Sequence, residues 1–373
     1  MPKTYNNIYS SCIEIENIRK SIVFGLSHKK ETKEIVYVIN NLDKVVNDTH
    51  DMMLNHTTPD ETYKMIEIIE GYKHKRRQIA KPNFMYNQII QYVLLSFIKP
   101  MVFESIYEHA HGSLKNRGPM QSKNVIERWL RKDPKGTRYC LQMDLHHCYP
   151  SVDQDRLINL YNEKIRDKDF MIELEKSIRS CPNGIAPGAP LSVYHLHFLL
   201  TPFDHWVTEQ KCVKHYLRHA DDLIIFGSNK KELHKLESYI ISYMKNVYEM
   251  DVNYNHQVFP IEWTDKSGKK HGKPLDTCGF LFYRDKVILR EKHLIKIVRK
   301  VNKVAKKNHI SFYDSQQILC QLGWIKHSDT YNVFSDKIIN EISIRKLKKI
   351  VSYHQKMINA KKKEEIKNDR MET

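Results

Sequence analysis

The stretch that decides the fold is "YLRHADDLIIF", residues 216–226, in which two adjacent acids stand directly before an apolar run. Removing a carboxylate from water is costly unless a partner compensates its charge. Asp221 and Asp222 therefore indicate that something positive is held at the start of a buried strand. A third acid, Asp144, lies within another β-prone run, "YCLQMDLHHCYPSV", residues 139–152.

The three acids predict a site for divalent cations. Carboxylates on two adjacent strands can hold two ions about 3.5–4 Å apart, the arrangement used for in-line phosphoryl displacement. Hard oxygen ligands favour Mg²⁺ or Mn²⁺ over Zn²⁺. Asp144, Asp221 and Asp222 are the candidate ligands of two such ions. Taken alone, an Asp-Asp pair is explained as well by capping or by surface ion pairing.

Composition narrows the class of protein. The chain has 373 residues, 41% of them hydrophobic, which is enough for a sizeable core and excludes disorder throughout. Its formal net charge of +17 predicts a nucleic-acid partner, with an anionic membrane surface as the competing interpretation. No apolar run is long enough to cross a bilayer and the first residues lack a signal-peptide core, so a cytoplasmic location is expected. The 7 cysteines form no Cys-x-x-Cys pair, which argues against a disulfide framework and a structural zinc site.

Apolar periodicity predicts a mixed α+β chain. Residues 1–70 have helical spacing, and further helices are expected over residues 83–103, with an interruption near Pro100, over 193–207 and over 230–248. Strands are expected at residues 137–150, on either side of the Asp pair, at 256–263 and at 278–289. From residue 291 onward the sequence is basic and helical.

The order of these segments resembles a known family. "YCLQMDLHHCYPSV", "GIAPGAPLS" and "YLRHADDLIIF" are similar to the successive A, B and C motifs of reverse transcriptases. Motif A is an Asp with an aromatic residue five positions later, motif B a Gly with a Ser four positions later, and motif C ends in Asp-Asp. Segments on both sides continue the resemblance over roughly residues 70–340: "KRRQIAKPNF", "NRG", "NHQVFPIEW", "DTCGFLFY" and "GWIKHSDTYNVF".

Within the bacterial members, the chain resembles the compact reverse transcriptases of diversity-generating retroelements and the related antiphage-defence enzymes. It departs from the usual family pattern at His219, which replaces an aromatic residue, and at Pro187, which replaces a Gln in many relatives. Val193 follows Ser192 where the diversity-generating class usually has Gln. This last departure favours a defence-type enzyme, and the diversity-generating class stays open as the alternative.

The resemblance implies roles for the motif residues. Asp144 and Asp221 would bridge the metal ions, with Asp222 supporting them. Tyr149 would lie under the incoming sugar and exclude a 2′-hydroxyl, unless it is an ordinary core aromatic. Gly188, together with Ser192 in the same nucleotide-binding motif, would let the backbone approach the nucleotide, unless Gly188 is a plain turn residue.

Residues outside the three motifs receive further implied roles. Lys75 and Arg77 would bind the triphosphate, unless they belong to a solvated basic face. Lys115 and Arg117 are weaker candidates for nucleic-acid contacts. His256 would protonate the departing pyrophosphate, because the lysine that often does so is missing from this segment. Gly323, Trp324 and Tyr331 would form a surface against the primer and template, with simple helix packing as the alternative.

The expected protein is therefore an RNA-directed DNA polymerase with a right-hand fold: α+β fingers, an antiparallel-sheet palm and a helical thumb. The predicted domains are an N-terminal helical extension (1–70), fingers and palm (71–285), and a basic thumb and tail (286–373). Its partners would be an RNA template or noncoding RNA, dNTPs and the DNA product, without a membrane; an accessory protein or a second copy of the chain stays open. The rival interpretations are an inactive polymerase-like RNA-binding protein, an RNA-dependent RNA polymerase, and a basic structural protein that binds nucleic acid.

Overall fold

The computed structural model describes residues 4–27, 29–30, 32–60, 62–70, 75–330, 332 and 335–369. By contact density the chain divides into two compact units. Unit 1 comprises Met1–Gly118 and Leu141–Val258, and unit 2 comprises Pro119–Cys140 and Phe259–Thr373. The predicted division into extension, fingers with palm, and thumb is a functional one and stays a prediction.

Helices in unit 1 surround a central sheet. They are α1 (Tyr9–Cys12), α2 (Ile15–Leu26), α3 (Lys33–Asn40), α4 (Leu42–Leu54), α5 (Ile89–Ser105), α7 (Gln154–Lys164), α8 (Lys168–Arg179), α9 (Ser192–Glu209) and α10 (Lys230–Tyr248). Unit 2 contains α6 (Pro119–Lys132), α11 (Glu291–Ala305), α12 (Phe312–Lys326) and α13 (Ile344–Asp369). No helix in the described part of the chain is both long enough and apolar enough to span a membrane.

The central sheet has five strands in the order β3 (Ala110–His111), β5 (His215–His219), β6 (Asp222–Gly227), β4 (Tyr139–Asp144) and β7 (Gln257–Pro260). The pair β5–β6 is antiparallel and places His219 opposite Asp222. The short β3 pairs parallel with β5. Four consecutive residues of β6, 223–226, are fully buried, which explains why the strand has no polar face. A buried central strand thus carries the Asp pair at its beginning.

Helices α9 and α10 cover this sheet for different reasons. The buried side chains of α10, among them Leu233, Leu236, Ile240 and Met244, recur every three or four residues, and Asn229 caps its first turn by accepting from two backbone N–H groups. Helix α9 is apolar on most of its circumference and is correspondingly buried. Both helices were predicted from periodicity and are present.

The helical expectation for residues 1–70 is wrong at its end. Four helices run to Leu54, but the strand β1 (Met65–Glu70) follows and pairs antiparallel with β2 (Lys75–Ala80). The segment "MIEIIE" combines β-branched residues with acids, which suits a half-exposed hairpin better than a helix. Pro100 does not interrupt α5 as expected, because the helix continues through it to Ser105.

In unit 2, three short strands, β10 (Leu275–Thr277), β11 (Phe280–Phe282) and β12 (Val287–Leu289), form an antiparallel sheet. A separate two-residue ladder joins β8 (Trp263–Thr264) to β9 (Lys270–His271). Helix α11 buries Ile297, Val301 and Val304 along one stripe and leaves Lys292, Lys296 and Lys303 exposed, whereas Lys300 binds Asp314. The predicted basic helical region is therefore confirmed as helical.

Candidate active site

The Asp pair lies at a tight turn between two strands of unit 1. His219 ends β5, Asp222 begins β6, and Ala220 between them adopts a positive φ of 57°. A non-glycine residue in this left-handed region is uncommon and is often part of a functional turn. Asp221 is half-buried at this turn. The burial of the two acids matches the expectation that they stand at the lip of a core strand.

Asp144 is brought to the same turn by the adjacent strand. It is the last residue of β4, which lies beside β6 in the sheet, and the N–H of Leu145 donates to the carbonyl oxygen of Asp221 at 3.2 Å. The fields of both carboxylates reach the Cys148 thiol: burial raises the pKa of Cys148, and Asp221 and Asp144 raise it further. The structure therefore brings Asp144 and Asp221 to the same edge of the central sheet, where neighbouring strands were expected to carry them.

A third segment, between α10 and β7, holds Asp144 in place. The side-chain amide of Asn253 donates to Oδ2 of Asp144 at 2.5 Å, and the backbone N–H of Asn253 donates to the carbonyl oxygen of the same aspartate at 2.8 Å. The first bond fixes the orientation of the carboxylate; the second fixes its backbone. Sequence reasoning missed Asn253, although it lies within "DVNYNHQVFP", the segment searched for a proton donor.

His256 lies in the turn that contains Asn253. The backbone N–H of His256 donates to the carbonyl oxygen of Asn253 at 3.3 Å. Nδ1 of its imidazole ring lies 2.7 Å from Oε1 of Glu237 on α10. Since a carboxylate only accepts hydrogen bonds, Nδ1 carries the proton in this pair and Nε2 is the remaining nitrogen. A histidine oriented in this way resembles a general acid or base fixed by a carboxylate, and its role as a proton donor stays a prediction.

A fully buried ion pair lies against the buried side of the turn that carries Asp221. The guanidinium of Arg218 is bound by both carboxylate oxygens of Asp204 on α9, at 2.6–3.1 Å, and both side chains have an exposed fraction of 0%. Nη1 of Arg218 also donates to the carbonyl oxygen of Ala220 at 3.0 Å. Burial acts to lower the pKa of Arg218, but the Asp204 carboxylate outweighs it, so the pKa lies above its ordinary value.

This ion pair belongs to a larger hydrogen-bonded network. The Tyr216 hydroxyl donates to Oδ1 of Asp204 at 2.7 Å. His197 donates from Nε2 to the carbonyl oxygen of Gly112 at 3.0 Å, and its Nδ1 faces Nη2 of Arg218 at 3.4 Å. Because breaking a buried charge pair is strongly destabilising, the network fixes the backbone of the Asp221 turn. Sequence reasoning missed it, although Arg218 stands three residues before Asp221.

Tyr149 joins motif A to motif B. Its carbonyl oxygen accepts from the N–H of Ile185 at 3.0 Å. The neighbouring Gly184 has a φ of 62°, and a Cβ there would lie 2.1 Å from the same carbonyl oxygen, so only glycine fits. Burial raises the pKa of the half-buried Tyr149 to about 12, and Cys148 and Asp221 add to this shift. Tyr149 is thus within electrostatic range of Asp221.

The two predicted nucleotide-binding residues of motif B have different surroundings. Gly188 adopts a φ of 91°, and a Cβ at this position would meet no atom within 4 Å. The backbone there faces open space, which is compatible with close approach of a nucleotide. Ser192 is only 3% exposed at the start of α9. A role for Ser192 toward a nucleotide would therefore act through the motif B backbone.

The basic candidates are only partly described. The backbone of Lys75 and Arg77 lies in β2, but their side chains fall outside the described residues, and so does Tyr331. Lys115 is exposed. Nη1 of Arg117 donates to the carbonyl oxygens of Tyr107 and Ala110, at 2.8 and 3.4 Å. The guanidinium therefore stabilises the backbone of this segment.

In unit 2, Gly323 and Trp324 lie on α12. Trp324 is half-buried with its ring 5.4 Å from the rings of Phe280 and His293. A Cβ at Gly279 would approach the Trp324 ring to 3.1 Å, which shows how closely the two pack. A Cβ at Gly323 would meet nothing within 4 Å. Trp324 thus has a packing role in this unit, and a contact with primer or template stays a prediction.

The donor atoms near Asp221 fit a magnesium ion. Asp144, at the end of β4, and Asp221, in the turn before the neighbouring β6, supply carboxylate oxygens, and oxygen is the ligand atom that Mg²⁺ prefers. Within the part of the chain that the structure describes, no group of three or more His, Cys, Asp or Glu side chains forms a ready metal cage. Magnesium commonly uses one or two carboxylates and completes its shell with water and substrate phosphates, so a protein cage is not required.

Comparison with known proteins gives one strong match. The sequence profile of the family described as "Reverse transcriptase (RNA-dependent DNA polymerase)" matches residues 63–258, slightly more than half of the chain. This range includes motifs A, B and C and the Asn253 turn. No curated protein matches the chain.

Solved structures show more distant similarity. Apo telomerase from Candida tropicalis is 14% identical with a TM-score of 0.47, over 74% of this chain and 57% of that one. The same protein truncated from its C-terminal domain is 16% identical, with a TM-score of 0.41 over 66% of this chain and 59% of that one. Telomerase from Candida albicans, in complex with a fragment of telomeric RNA, is 10% identical, with a TM-score of 0.44 over 76% of this chain and 57% of that one. At these values the similarities support no conclusion about activity.

The family match, the mixed helix and sheet, and the antiparallel pairing of β5 with β6 confirm the predicted α+β right-hand polymerase class. The profile covers the turn that carries Asp221, the strand that ends at Asp144 and the loop that holds Tyr149. This chain belongs to the reverse transcriptase family.

Proposed function

We propose that this protein is an RNA-directed DNA polymerase that joins dNTPs into DNA at the Asp144–Asp221 site. The observation that carries the proposal is the convergence of these two acids: Asp144 ends β4, Asp221 directly precedes the adjacent β6, and the Leu145 N–H donates to the Asp221 carbonyl oxygen. The buried Arg218–Asp204 pair and the Asn253 amide hold the two acids without neutralising Asp221 directly.

Asp144 and Asp221, supported by Asp222, would hold two Mg²⁺ or Mn²⁺ ions. When bound, such ions favour ionisation of the attacking 3′-hydroxyl and neutralise the charge on the leaving pyrophosphate. Asn253 orients the Asp144 carboxylate, and Arg218 fixes the turn that presents Asp221. Tyr149 would exclude a 2′-hydroxyl, and His256, oriented by Glu237, would donate a proton to the pyrophosphate.

The test is primer extension on a defined RNA template with Mg²⁺ and with Mn²⁺. Asp221→Asn removes one negative charge from the site, and we expect it to abolish dNTP incorporation while RNA binding and the unfolding midpoint change little. Asp285→Asn is the matched control, because Asp285 is exposed in unit 2 and the chemical change is the same. Polymerisation at the wild-type rate by Asp221→Asn would refute the proposal, and an inactive wild type that binds RNA would favour the inactive RNA-binding alternative.

We further propose that the enzyme acts in antiphage defence with a dedicated noncoding RNA as its template. The support is the sequence resemblance to defence-type enzymes, together with Val193 after Ser192, where the diversity-generating class usually has Gln. Sequencing the nucleic acid that co-purifies with the protein distinguishes a defence role from a diversity-generating role. One recurrent structured RNA with its complementary DNA supports defence, whereas cDNA with frequent substitutions, as expected for mutagenic retrohoming, supports a diversity-generating element.

A further inference from the structure

A small hairpin in unit 2 exposes a large aromatic ring. The 262–273 hairpin contains strands β8 and β9, whose register places Trp263 opposite His271. The two rings stack with centroids 4.8 Å apart and an interplanar angle of 21°. Trp263 nevertheless remains 45% exposed. One face of the indole is therefore covered by the imidazole, and a substantial part of the ring stays open to solvent.

The hairpin is held in one shape by its own side chains. Oδ1 of Asp265 accepts from the Ser267 hydroxyl at 2.6 Å and from the N–H groups of Ser267 and Lys269 at 2.9 and 3.0 Å. Oδ2 of Asp265 accepts from Nε2 of His271 at 2.7 Å, which fixes the imidazole against the indole. These bonds, first those from Ser267 and His271, hold the pKa of Asp265 well below its usual range. The aromatic surface is thus preorganised.

The tip of the hairpin carries positive charge. Lys266 and Lys269 are exposed, Lys270 lies 3.3 Å from Glu262, and Nζ of Lys273 lies 4.3 Å from the Phe259 ring centroid. Two of the four lysines thus have structural neighbours, whereas Lys266 and Lys269 extend from the rigid tip into solvent. An anionic partner is the natural complement of this tip.

The combination fits a nucleic-acid strand better than a membrane. Trp263 is the only large apolar side chain of the 262–273 hairpin, so a lipid surface would gain little buried apolar area from it. A base, in contrast, needs one flat ring to stack on and nearby cations for its flanking phosphates, and such stacking tolerates any sequence. An unpaired base is required, because a base inside a duplex already stacks on both faces.

We propose that the 262–273 hairpin binds single-stranded nucleic acid, with a base stacked on Trp263 and the flanking phosphates near Lys266 and Lys269. The inference deepens the proposed function, since the strand would be unpaired template or displaced product. Its test measures the binding of nucleic acid, so the result can be obtained whether or not the protein is an active polymerase.

The test uses the full chain and fluorescent 20-nucleotide probes: single-stranded RNA, single-stranded DNA and a blunt RNA–DNA duplex. We expect Trp263→Ala to weaken binding of a single strand about tenfold, Trp263→Phe to retain most of the affinity, and duplex binding to change less than twofold. Tyr239→Ala is the control, because Tyr239 is an aromatic residue with an exposed fraction of 63% in unit 1. Comparing the RNA and DNA probes decides which strand is preferred.

Replacing Lys266 and Lys269 together by Gln should reduce the log–log salt slope for single strands by about 1.4, since each phosphate contact contributes about 0.7. An unchanged affinity in Trp263→Ala, or a loss of binding to phosphatidylserine vesicles without any loss on single strands, would overturn the proposal. If wild type fails to extend primers but Trp263→Ala still loses single-strand affinity, the polymerase proposal falls and the hairpin inference stands.

Discussion

At the scale of single residues, Tyr149 is the aromatic ring that we propose selects the sugar. It is half-buried, its carbonyl oxygen is fixed by Ile185, and Asp221 is close enough to raise the pKa of its hydroxyl. Core packing, the alternative role, would also bury the ring, so sugar selection is the measurement that separates the two roles.

Tyr149→Val should therefore increase the use of ribonucleotides relative to deoxyribonucleotides. The smaller side chain removes the clash with a 2′-hydroxyl, and the expected change in the ratio is at least tenfold, which corresponds to about 1.4 kcal/mol. The measurement is single-nucleotide incorporation of GTP and dGTP opposite the same template base. An unchanged ratio would mean that Tyr149 is only a packing residue.

Gly184, the first residue of motif B, is required by the close contact between motif B and the Tyr149 backbone of motif A. Replacement by Ala would place a Cβ 2.1 Å from the Tyr149 carbonyl oxygen at a backbone φ of 62°. Overpacking of this kind costs about 1–3 kcal/mol, and the same shift would displace Tyr149, so we expect lower stability together with weaker sugar selection. Gly323→Ala is the control, since its Cβ would meet nothing in a helix and should stabilise slightly. Urea unfolding and the GTP-to-dGTP ratio measure the two effects, and a Gly184→Ala protein with wild-type values for both would contradict the geometry.

Residues of this kind set the limit of sequence reasoning. Asp144 and Asp221 could be predicted because acids beside β-prone runs are unusual and because they belong to ordered motifs. Asn253 and Asp204 could not, since an Asn in a polar loop and an Asp in an apolar helix have no distinguishing spacing. Their partners lie 109 and 14 residues away, and a single sequence contains no record of which side chains meet.

At the scale of elements, α9 is a buried helix that contains two neutral histidines. Burial lowers the pKa of His195 to about 3. The pKa of His197 is also lowered to about 3, first by burial and then by Arg218, against a small opposing effect of the Gly112 carbonyl. The Arg117 charge lowers the pKa of His197 further, and burial also lowers the pKa of His111, on the neighbouring β3, to about 3.

These histidines predict a loss of stability in acid. Their pKa values are lower in the folded protein than the unfolded value near 6.5, so the unfolded chain takes up protons that the folded chain excludes between about pH 6.5 and 3. The free energy of unfolding should be unaffected by them above pH 7 and should fall as the pH drops below 6.5, by on the order of 1–2 kcal/mol per histidine at pH 5.

His197→Gln tests this element, because the Gln amide can still donate to the Gly112 carbonyl but cannot take up a proton. We expect a shallower pH dependence of the urea midpoint between pH 7.5 and 4.5 than in wild type. His309→Gln, at an exposed position in unit 2, should keep the wild-type slope. Identical slopes in all three proteins would show that His197 does not contribute.

Elements were predictable where the apolar period was unambiguous. The run that became β6 and the stripes of α10 and α11 have clear periods, and all three were found. The strand β1 was mistaken for part of a helical region because its six residues, "MIEIIE", do not alternate strictly between apolar and polar. Only the first two residues of the 262–273 hairpin were predicted as strand, because the rest of the hairpin takes its structure from bonds to the Asp265 side chain and not from a hydrophobic pattern.

At the scale of the whole molecule, the formal charge of +17 predicts steep dependence of nucleic-acid binding on salt. Each phosphate contact releases counterions, so log Kd should rise linearly with log salt concentration, with a slope of several units. Titrations of an RNA–DNA duplex between 50 and 300 mM KCl measure it, and Asp221→Asn should have nearly the same slope, since it alters chemistry and adds no phosphate contact. If log Kd does not change with salt concentration, the positive charge of the chain does not contribute to nucleic-acid binding.

The Arg218–Asp204 pair has a consequence for how the chain reaches its native state. The two residues are 14 positions apart, so a short helix-to-strand segment closes this contact at a small loss of chain entropy. The bond between Asn253 and Asp144 spans 109 positions, so it closes a much longer stretch of the chain. The ion pair that supports the Asp221 turn thus forms between residues close together in the sequence. The Asp144 carboxylate, in contrast, is oriented only after residues far apart in the sequence have come together. A partly folded or shortened chain would therefore present the turn without Asp144 oriented beside it, and would have no competent site for the metal ions until those long loops had closed.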